Sequence, residues 1–492
     1  MTTGDYTVPV GLASDLFRMA PLLAVFAGAM AVMLIEAVVR PTDRWLQAGI
    51  SGITLMFALG LLVLGPSEGA ATAFSGMLRF DAYGAFFNVL LVSGALIVVM
   101  LSPDYLQSIG VKVGEYYALI LFALLGMMLL ALGNDLMMMF VAVEIMSIAV
   151  YVLAAIKRED SRSVESGFKY FILGAFSSAL LLYGIALVYG ATGTTGLDGV
   201  QATVAAGEAG ALLYTGMALL LVGFGFKVAA VPFHMWTPDV YQGAPVTVTA
   251  FMASGVKAAS FAAFGRVLLV GFLGSSTEWV CPLWILCALT MLVGNVAALV
   301  QTDLKRILAY SSIGHAGFAM MALVAADGSG NTEPASALLF YLAAYTIMTL
   351  GAFAVLGLMG SEERDTTELS DLAGLAQRHP YLAASLALSL LSLAGIPPTV
   401  GFVGKFQLFM VTVHEGFVGL AVIGAISGAI GVYYYLRPIV LMYMQPGEGK
   451  VLEVSRATRV VLSLVAVAIL AFGLLPSALL PFCRVAAASL GG

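Results

Sequence analysis

Charge is what this sequence has least of. Only 10% of its 492 residues are Asp, Glu, Lys or Arg, whereas 61% are hydrophobic and the mean hydropathy is +1.00. Soluble domains carry about 25% charged residues, so a soluble multi-domain protein, which the length alone would allow, is excluded. Cysteine is scarce too: Cys281, Cys287 and Cys483 match no zinc, haem or iron–sulfur spacing and read as small packing residues. Glycine is plentiful at 54 residues, yet no G-x-G-x-x-G follows a strand and opens a helix, and no phosphate loop appears. The glycines instead suit close helix packing in lipid. The opening MTTGDYTVPVGLASDLFRM has two acids and lacks a basic n-region, so the first apolar run is expected to remain as a span. A net charge of −6 without any basic block argues against nucleic acid. No metal, nucleotide or redox chemistry is legible in this chain.

Long apolar runs are what is there. A hydrocarbon core of about 30 Å needs roughly 20 apolar residues per helix. Fourteen runs qualify, beginning near Met19, Trp45, Tyr83, Tyr116, Leu136, Phe168, Ala211, Val246, Pro282, Ile307, Ala335, Tyr381, Val418 and Val460. The chain is therefore expected to be an all-α polytopic membrane protein. Odd-numbered loops hold thirteen cations: Arg40, Arg44, Lys112, Lys157, Arg158, Arg162, Lys305, Arg306, Arg364, Arg378, Lys450, Arg456 and Arg459. Even-numbered loops and the termini hold only Arg18, Arg79 and Arg484. That bias places both termini outside, in the periplasm, and the odd loops in the cytoplasm.

Six of the 22 basic residues remain, all within or at the ends of apolar runs: Lys169, Lys227, Lys257, Arg266, Lys405 and Arg437. Lys169, Arg437 and Arg266 suit snorkelling or helix-end anchoring. Lys227, Lys257 and Lys405 lie deeper, where a lysine costs about 2.5 kcal/mol or more. The twelfth run, Tyr381 to Val413, would be about 50 Å long as one straight helix. Pro397 and Pro398 both remove backbone donors there. These features predict a helix broken near Gly395 to Gly401, with Lys405 just beyond and freed carbonyls satisfied by protein or water.

The seventh run, LLLVGFGFKVAAVPFHMWTPDVYQGAP, has the same parts in reversed order, with Lys227 before Pro232, Pro238 and Pro245. Runs seven and twelve are five apart, and an odd offset turns the second copy upside down. Paired broken helices of opposite orientation mark inverted-repeat transporters. The predicted organisation is a three-helix segment (residues 1–110), repeats of spans 4–8 (111–273) and 9–13 (274–445), and a C-terminal helix and tail (446–492).

Glu144 sits mid-span in LMMMFVAVEIMSIAVYV, with Lys227 as its natural partner if spans 5 and 7 touch. Lys257 on span 8 and His315 in AYSSIGHAGFAMMAL on span 10 add two more titratable sites. His315 also fits a hydrogen-bonded core residue. His234, in the proline-studded PFHMWTPD, fits an ordered loop or a proton-uptake role. Asp303, Lys305 and Arg306 read as an interfacial anchor, ERDTTELSDL as a solvated loop, and Met137 to Met139 as packing material. Three lysines against one glutamate do not balance, so the set Glu144, Lys227, Lys257, His315 and Lys405 suits proton relay better than a permanent salt-bridge network.

Four segments carry a resemblance: SRSVESGFKYFILGAFSSALLLYGIALVYGATG, FKVAAVPFHMWTPDVYQGAPVTVTAFMASGVKAA, QTDLKRILAYSSIGHAG and LSLAGIPPTVGFVGKF. In them the sequence resembles the N-type antiporter-like membrane subunits of bacterial proton-pumping NADH:quinone oxidoreductase (complex I). The resemblance implies fourteen helices with two inverted five-helix repeats. It makes Glu144 and Lys227 a coupling ion pair, Lys257 and His315 the relay, and Lys405 the outer lysine. It implies a bacterial inner-membrane location and the other membrane-arm subunits as partners: a neighbouring antiporter-like subunit and small membrane subunits. NADH, FMN, iron–sulfur clusters and quinone would sit on partner subunits. Type M relatives carry glutamate on span 12, and type L relatives have a lateral C-terminal helix, so Lys405 and the short tail favour type N. Gln242 stands where some relatives have glutamate. An Mrp-type cation/proton antiporter subunit and a passive scaffold within the complex remain open at this point.

Overall fold

The computed structural model describes residues 12–39, 45–65, 70–111, 114–326, 331–359, 368–447 and 454–490. Arg40, Arg44, Lys112, Arg364, Lys450 and the first half of ERDTTELSDL lie outside the described residues. Thirteen helices are long and apolar enough to cross a membrane, and the shorter pair Pro380–Ala394 and Val400–His414 completes a fourteenth crossing. In chain order the spans are Ala20–Val38, Trp45–Leu64, Ala82–Ser108, Glu115–Leu132, Leu136–Ala154, Ser161–Thr192 and Ala211–Val228 with Thr237–Gly243. They continue as Val246–Gly271, Ser276–Leu299, Leu304–Ala325, Glu333–Leu356, the broken twelfth, Val418–Met444 and Arg456–Leu474.

Two starts differ from the hydropathy reading. Span 6 begins at Ser161 rather than near Phe168, because Asp160 accepts the Arg162 N–H at 3.0 Å and caps a polar first turn. Span 9 begins at Ser276, placing Pro282 inside the helix. Three small elements carry no long-run signal: an antiparallel hairpin pairing Ala71–Ala73 with Leu78–Phe80, and the short helices Leu197–Ala205 and Leu480–Ala488.

Both breaks are present. The first half of span 7 ends where Ala229 takes a left-handed φ of +62°, and the first half of span 12 ends at Gly395 with φ +84°. In each, proline follows three positions later, at Pro232 and Pro398. Such a terminus leaves carbonyls without helical partners. At the first break the Trp236 indole donates to the Phe226 carbonyl at 3.1 Å, and at the second Thr399 Oγ1 donates to the Ile396 carbonyl at 2.7 Å.

The packing repeats with an offset of five spans. Span 4 packs on 5 as 9 does on 10, and 5 on 6 as 10 on 11. Likewise 6 meets 7 as 11 meets 12, and 4 meets 8 as 9 meets 13. The correspondence reaches single residues at two close helix crossings. A Cβ on Gly126 would meet Met146 N at 2.5 Å and the Ala142 carbonyl at 2.8 Å; one on Gly294 would meet Gly314 N at 2.5 Å and the Tyr310 carbonyl at 3.0 Å. All three pairs share one offset of 168 positions (126 to 294, 142 to 310, 146 to 314). Only glycine permits backbones this close. By that register Ser312 stands where Glu144 does, and His315 where Ser147 does.

Spans 8, 10 and 11 are buried almost end to end, whereas spans 1, 2 and 14 face outward over most of their length. The core is therefore built where the two repeats meet.

Candidate functional site

Lys227, Lys257, His315 and Lys405 are all enclosed, none more than 8% exposed, and Glu144 is half-buried. Each is held by neutral groups. Lys227 lies in the last turn of the first half of span 7, where the negative end of the helix dipole favours an ammonium. Its Nζ donates to Ser147 Oγ at 2.8 Å and sits 5.9 Å from the Tyr151 ring centre. Glu144 Oε1 accepts from Ser178 Oγ at 2.5 Å. The direct Glu144–Lys227 ion pair expected from sequence is therefore not formed. Ser147, one turn along span 5 from Glu144, takes the ammonium, while the carboxylate stays within electrostatic reach of Lys227.

Lys257 follows a π-helical turn, Met252–Val256, inside span 8. Such wide turns shift the side-chain register and recur at functional positions. Its Nζ donates to the Ser312 carbonyl at 2.5 Å and also to Ser312 Oγ, with the Tyr345 ring 5.8 Å away. Lys257 thus uses the residue that occupies the Glu144 position of the second repeat.

His315, one turn beyond Ser312, joins two phenols. Its Nδ1 meets Tyr341 OH at 2.6 Å and its Nε2 meets Tyr435 OH at 2.9 Å; Tyr435 OH also bonds Ser311 Oγ. The imidazole lies within electrostatic reach of both Lys257 and Lys405. Lys405 reaches across the break in span 12. Its Nζ donates to the Leu393 and Ala394 carbonyls at 2.9 and 3.0 Å, 5.0 Å from the Phe318 ring centre. The freed carbonyls expected at the break go to the lysine itself. Glycine is favoured at position 395 by its left-handed φ of +84°, and a Cβ there would also press to 2.9 Å from Lys405 Cδ.

A near-continuous run of titratable and hydroxyl groups therefore links Lys257, Ser312, Ser311, Tyr435, His315 and Tyr341. Among the described residues no hydrogen bond joins this run to the Glu144–Lys227 group. A proton could cross that gap only through water or side-chain movement. Sequence reasoning missed the serines and tyrosines. Helical spacing was the available signal, because Ser147 follows Glu144 by three residues and Ser312 precedes His315 by three.

The remaining candidates are structural or peripheral. Arg266, expected at a helix-end interface, is fully buried: it forms a bidentate pair with Asp81 at 2.6 and 2.9 Å, donates to the Ala131 carbonyl at 3.2 Å and faces the Tyr83 ring. A carboxylate at the start of span 3 draws it inward. Lys305 is likewise buried, donating to the Ala244 carbonyl at 2.8 Å. Asp303 caps span 10 by accepting the Arg306 N–H, and Arg306 pairs with Asp239 at 2.9 Å and Gln242 at 3.0 Å. Lys169, 40% exposed, joins the same rim through Asp239 and Glu165. Arg437 donates to the Gln301 carbonyl. His234 lies in the loop beside Trp236, whose ring stacks on Tyr170 at 4.4 Å. Among the described residues, no three His, Cys, Asp or Glu side chains gather as a metal site.

Comparison with known proteins follows the same lines. The sequence pattern described as "NADH:quinone oxidoreductase/Mrp antiporter, TM" matches residues 133–431. The chain is 44% identical to NADH-quinone oxidoreductase subunit N of Trichlorobacter lovleyi, covering 92% of this chain and 93% of that one. It is 41% identical to subunit N of Rhodospirillum rubrum, covering 93% and 94%. It is similar to a chain of respiratory complex I from Thermus thermophilus with bound aureothin: TM-score 0.81, 37% identity, covering 94% and 98%. A chain of the Mrp complex from Dietzia sp. shares the fold at TM-score 0.86 and 21% identity, over 96% and 97%. With an extended match through both repeats and close relatives along nearly its whole length, the chain belongs to the NADH:quinone oxidoreductase/Mrp antiporter family of membrane subunits.

Proposed function

We propose that the chain is the N-type antiporter-like subunit of a proton-translocating NADH:quinone oxidoreductase, and that Glu144, Lys227, Lys257, His315 and Lys405 carry its protons. One observation carries this reading: three lysines are buried in apolar spans, each against hydroxyls or carbonyls and none against a carboxylate. A stability element would neutralise such charges by pairing, because an unpaired buried ion is expensive. A relay needs the opposite, groups able to exist with and without the proton.

In this reading Lys257 Nζ passes its proton toward the Ser311–Tyr435–His315 hydroxyl and imidazole series. His315 accepts it at one ring nitrogen and releases it from the other toward Tyr341 and the Lys405 side. Lys405 Nζ then exchanges with the outer face through the span 12 break. Glu144 biases the charge of Lys227 through space and through Ser147. Quinone reduction supplies the energy on other subunits, with NADH, FMN and iron–sulfur clusters bound there and not by this chain. The same reading places the chain in the bacterial inner membrane with both termini periplasmic, next to another antiporter-like subunit and small membrane subunits. Residues 111–273 and 274–445 act as the two functional halves, flanked by 1–110 and 446–492.

Purification from native membranes through a tag on this chain tests the reading. Co-purified flavin, iron–sulfur clusters and NADH:quinone activity are expected, with pumping lost in Lys227→Ala while the complex stays assembled. A complex without flavin or iron–sulfur clusters that exchanges cations for protons would establish the Mrp-type alternative instead. Full pumping by an assembled Lys227→Ala complex would make the buried charges assembly elements only.

A further inference from the structure

A cavity of about 200 Å³ lies between spans 3, 8, 11 and 14, away from the charged rim around Asp239. Its walls include Asp104, Ser108 and Tyr105 from span 3, Thr247 and Ala250 from span 8, Phe353 and Ala354 from span 11, and Thr458 from span 14. Strict alternation of crossings puts the end of each odd span and the start of each even span on one face. The four segments here are such ends, and the loop charges assign that face to the cytoplasm. The volume holds several waters, each needing about 30 Å³ and polar partners.

Asp104 is the one carboxylate in the lining, and its Oδ2 is buried without a hydrogen-bond partner. An unpartnered carboxylate oxygen in a low-dielectric wall is costly unless water reaches it. Asp104 lines the cavity and is as a whole only half-buried, so cavity water meets the carboxylate group beside that oxygen. Other titratable groups around it are Tyr105, whose OH accepts the Val246 N–H at 2.7 Å, and Tyr116 of span 4, whose OH donates to Thr247 Oγ1 at 3.0 Å. Spans 11 and 14 add no ionisable side chain to the lining.

Two stripes lead inward from this cavity to Lys257. On span 8 they are Thr247, Ala250, Ser254 and Lys257, at helical spacing, with Ser254 Oγ donating to the Ala250 carbonyl at 2.6 Å. On span 11 they are Phe353, Thr349 and Tyr345, four apart, and Tyr345 faces the Lys257 ammonium at 5.8 Å. From Ala250 to Lys257 is about 10 Å along the helix axis.

We propose that this cavity is a proton inlet for the relay, with Asp104 as its collecting carboxylate and Lys257 as its destination. The proposal rests on the proton-translocating reading above. A hydronium ion in the cytoplasmic water protonates the Asp104 carboxylate. The acid returns that proton to cavity water, which carries it past Ser254 and Thr349 to the Lys257 amine. The carboxylate is regenerated, and no other reactant is consumed. Spans 3 and 14 lie outside both repeats, and in this proposal they complete the inlet rather than merely pack against the core.

The test uses the assembled complex in proteoliposomes with Asp104→Asn, Asp104→Glu and Lys257→Ala, scored for NADH-driven acidification and coupled quinone reduction. NADH oxidation with an artificial acceptor controls for assembly. Asp104→Asn is expected to slow pumping on the order of tenfold at about pH 8 on the uptake side, where protons are scarce, and much less at about pH 6.5. Asp104→Glu is expected to restore the parent profile. In a second measurement, Ala354→Cys is expected to react with a membrane-impermeant thiol reagent added from the cytoplasmic side, which also decides the matter if Asp104→Asn fails to assemble. An unaltered pH profile in Asp104→Asn, an equal deficit in Asp104→Glu, or an unreactive Ala354→Cys overturns the inlet. Loss of pumping in Lys257→Ala alongside a normal Asp104→Asn removes the inlet alone, whereas normal pumping in Lys257→Ala removes the underlying relay.

Discussion

Lys405 offers the sharpest separation of charge from titration. Its ammonium donates to two carbonyls, Leu393 and Ala394, at the broken end of the first half of span 12, and lies over the Phe318 ring. Lys405→Ala leaves both acceptors unsatisfied, at about 1–3 kcal/mol each, or about 2–6 kcal/mol together if no water enters. Lys405→Arg keeps a cation that can reach the carbonyls and the ring, but arginine stays protonated at any working pH. Each proton moved against the membrane potential costs about 2.3 kcal/mol per 100 mV, equivalent to about a 50-fold change in proton affinity at the carrying group. A group that never releases its proton cannot supply that change. Both variants are therefore expected to lose pumping, while Lys405→Arg assembles more stably than Lys405→Ala. The assay is acidification of inverted membrane vesicles by NADH, with quinone reduction measured in parallel. Parental pumping by Lys405→Arg would refute the titrating role and leave Lys405 as a fixed charge that closes the helix break.

Around Lys227, Ser147→Ala removes the hydroxyl that holds the ammonium and should reduce coupled activity, whereas Ser147→Thr should retain most of it. Glu144→Ala and Lys227→Ala should each disable pumping, with a double variant no worse than either, as expected of one coupled unit. Asp81→Asn strands the Arg266 guanidinium in a dry site, so a loss of about 3–5 kcal/mol is expected, read as reduced membrane content of the chain and a lower unfolding temperature. Gly401→Ala would drive a Cβ to 1.8 Å from the Ser392 carbonyl and should prevent assembly, checked by native gel. With Cys281 replaced by serine, Glu159→Cys should react only with reagent added from the cytoplasm and Glu208→Cys only from outside. Labelling of Glu159→Cys from outside would reverse the assigned orientation.

Hydropathy made the spans legible because each must bury about 20 apolar residues, and proline made the breaks legible because it deletes donors that lipid cannot replace. The five ionisable residues were equally visible, being costly in their runs. What the sequence hid was which neutral group each of them touches. Glu144 and Lys227 look like a pair because opposite charges attract. Ser147 and Ser178 prevail because each is already at the right distance on a packed helix face. Arg266 looked like an anchor because its partner, Asp81, lies 185 residues away in sequence, at the start of span 3. No local pattern announces such a contact.

The repeat gives the asymmetry of the site a physical reading. Glu144 and Ser147 on span 5 correspond in register to Ser312 and His315 on span 10. In the first repeat that pair of positions offers a carboxylate and a hydroxyl, and Lys227 takes the hydroxyl. In the second it offers a hydroxyl and an imidazole: Lys257 takes Ser312, and the imidazole turns to the two phenols on the Lys405 side. Lys257 belongs to the first repeat by chain order, yet its ammonium is held by the second. One scaffold, used twice, thus carries a carboxylate at one end and an imidazole at the other, with a lysine of the first half seated on the second. In the proposed relay the Glu144 carboxylate acts on Lys227 through space, while Lys257 and Lys405 both act on His315 from the side of the second repeat.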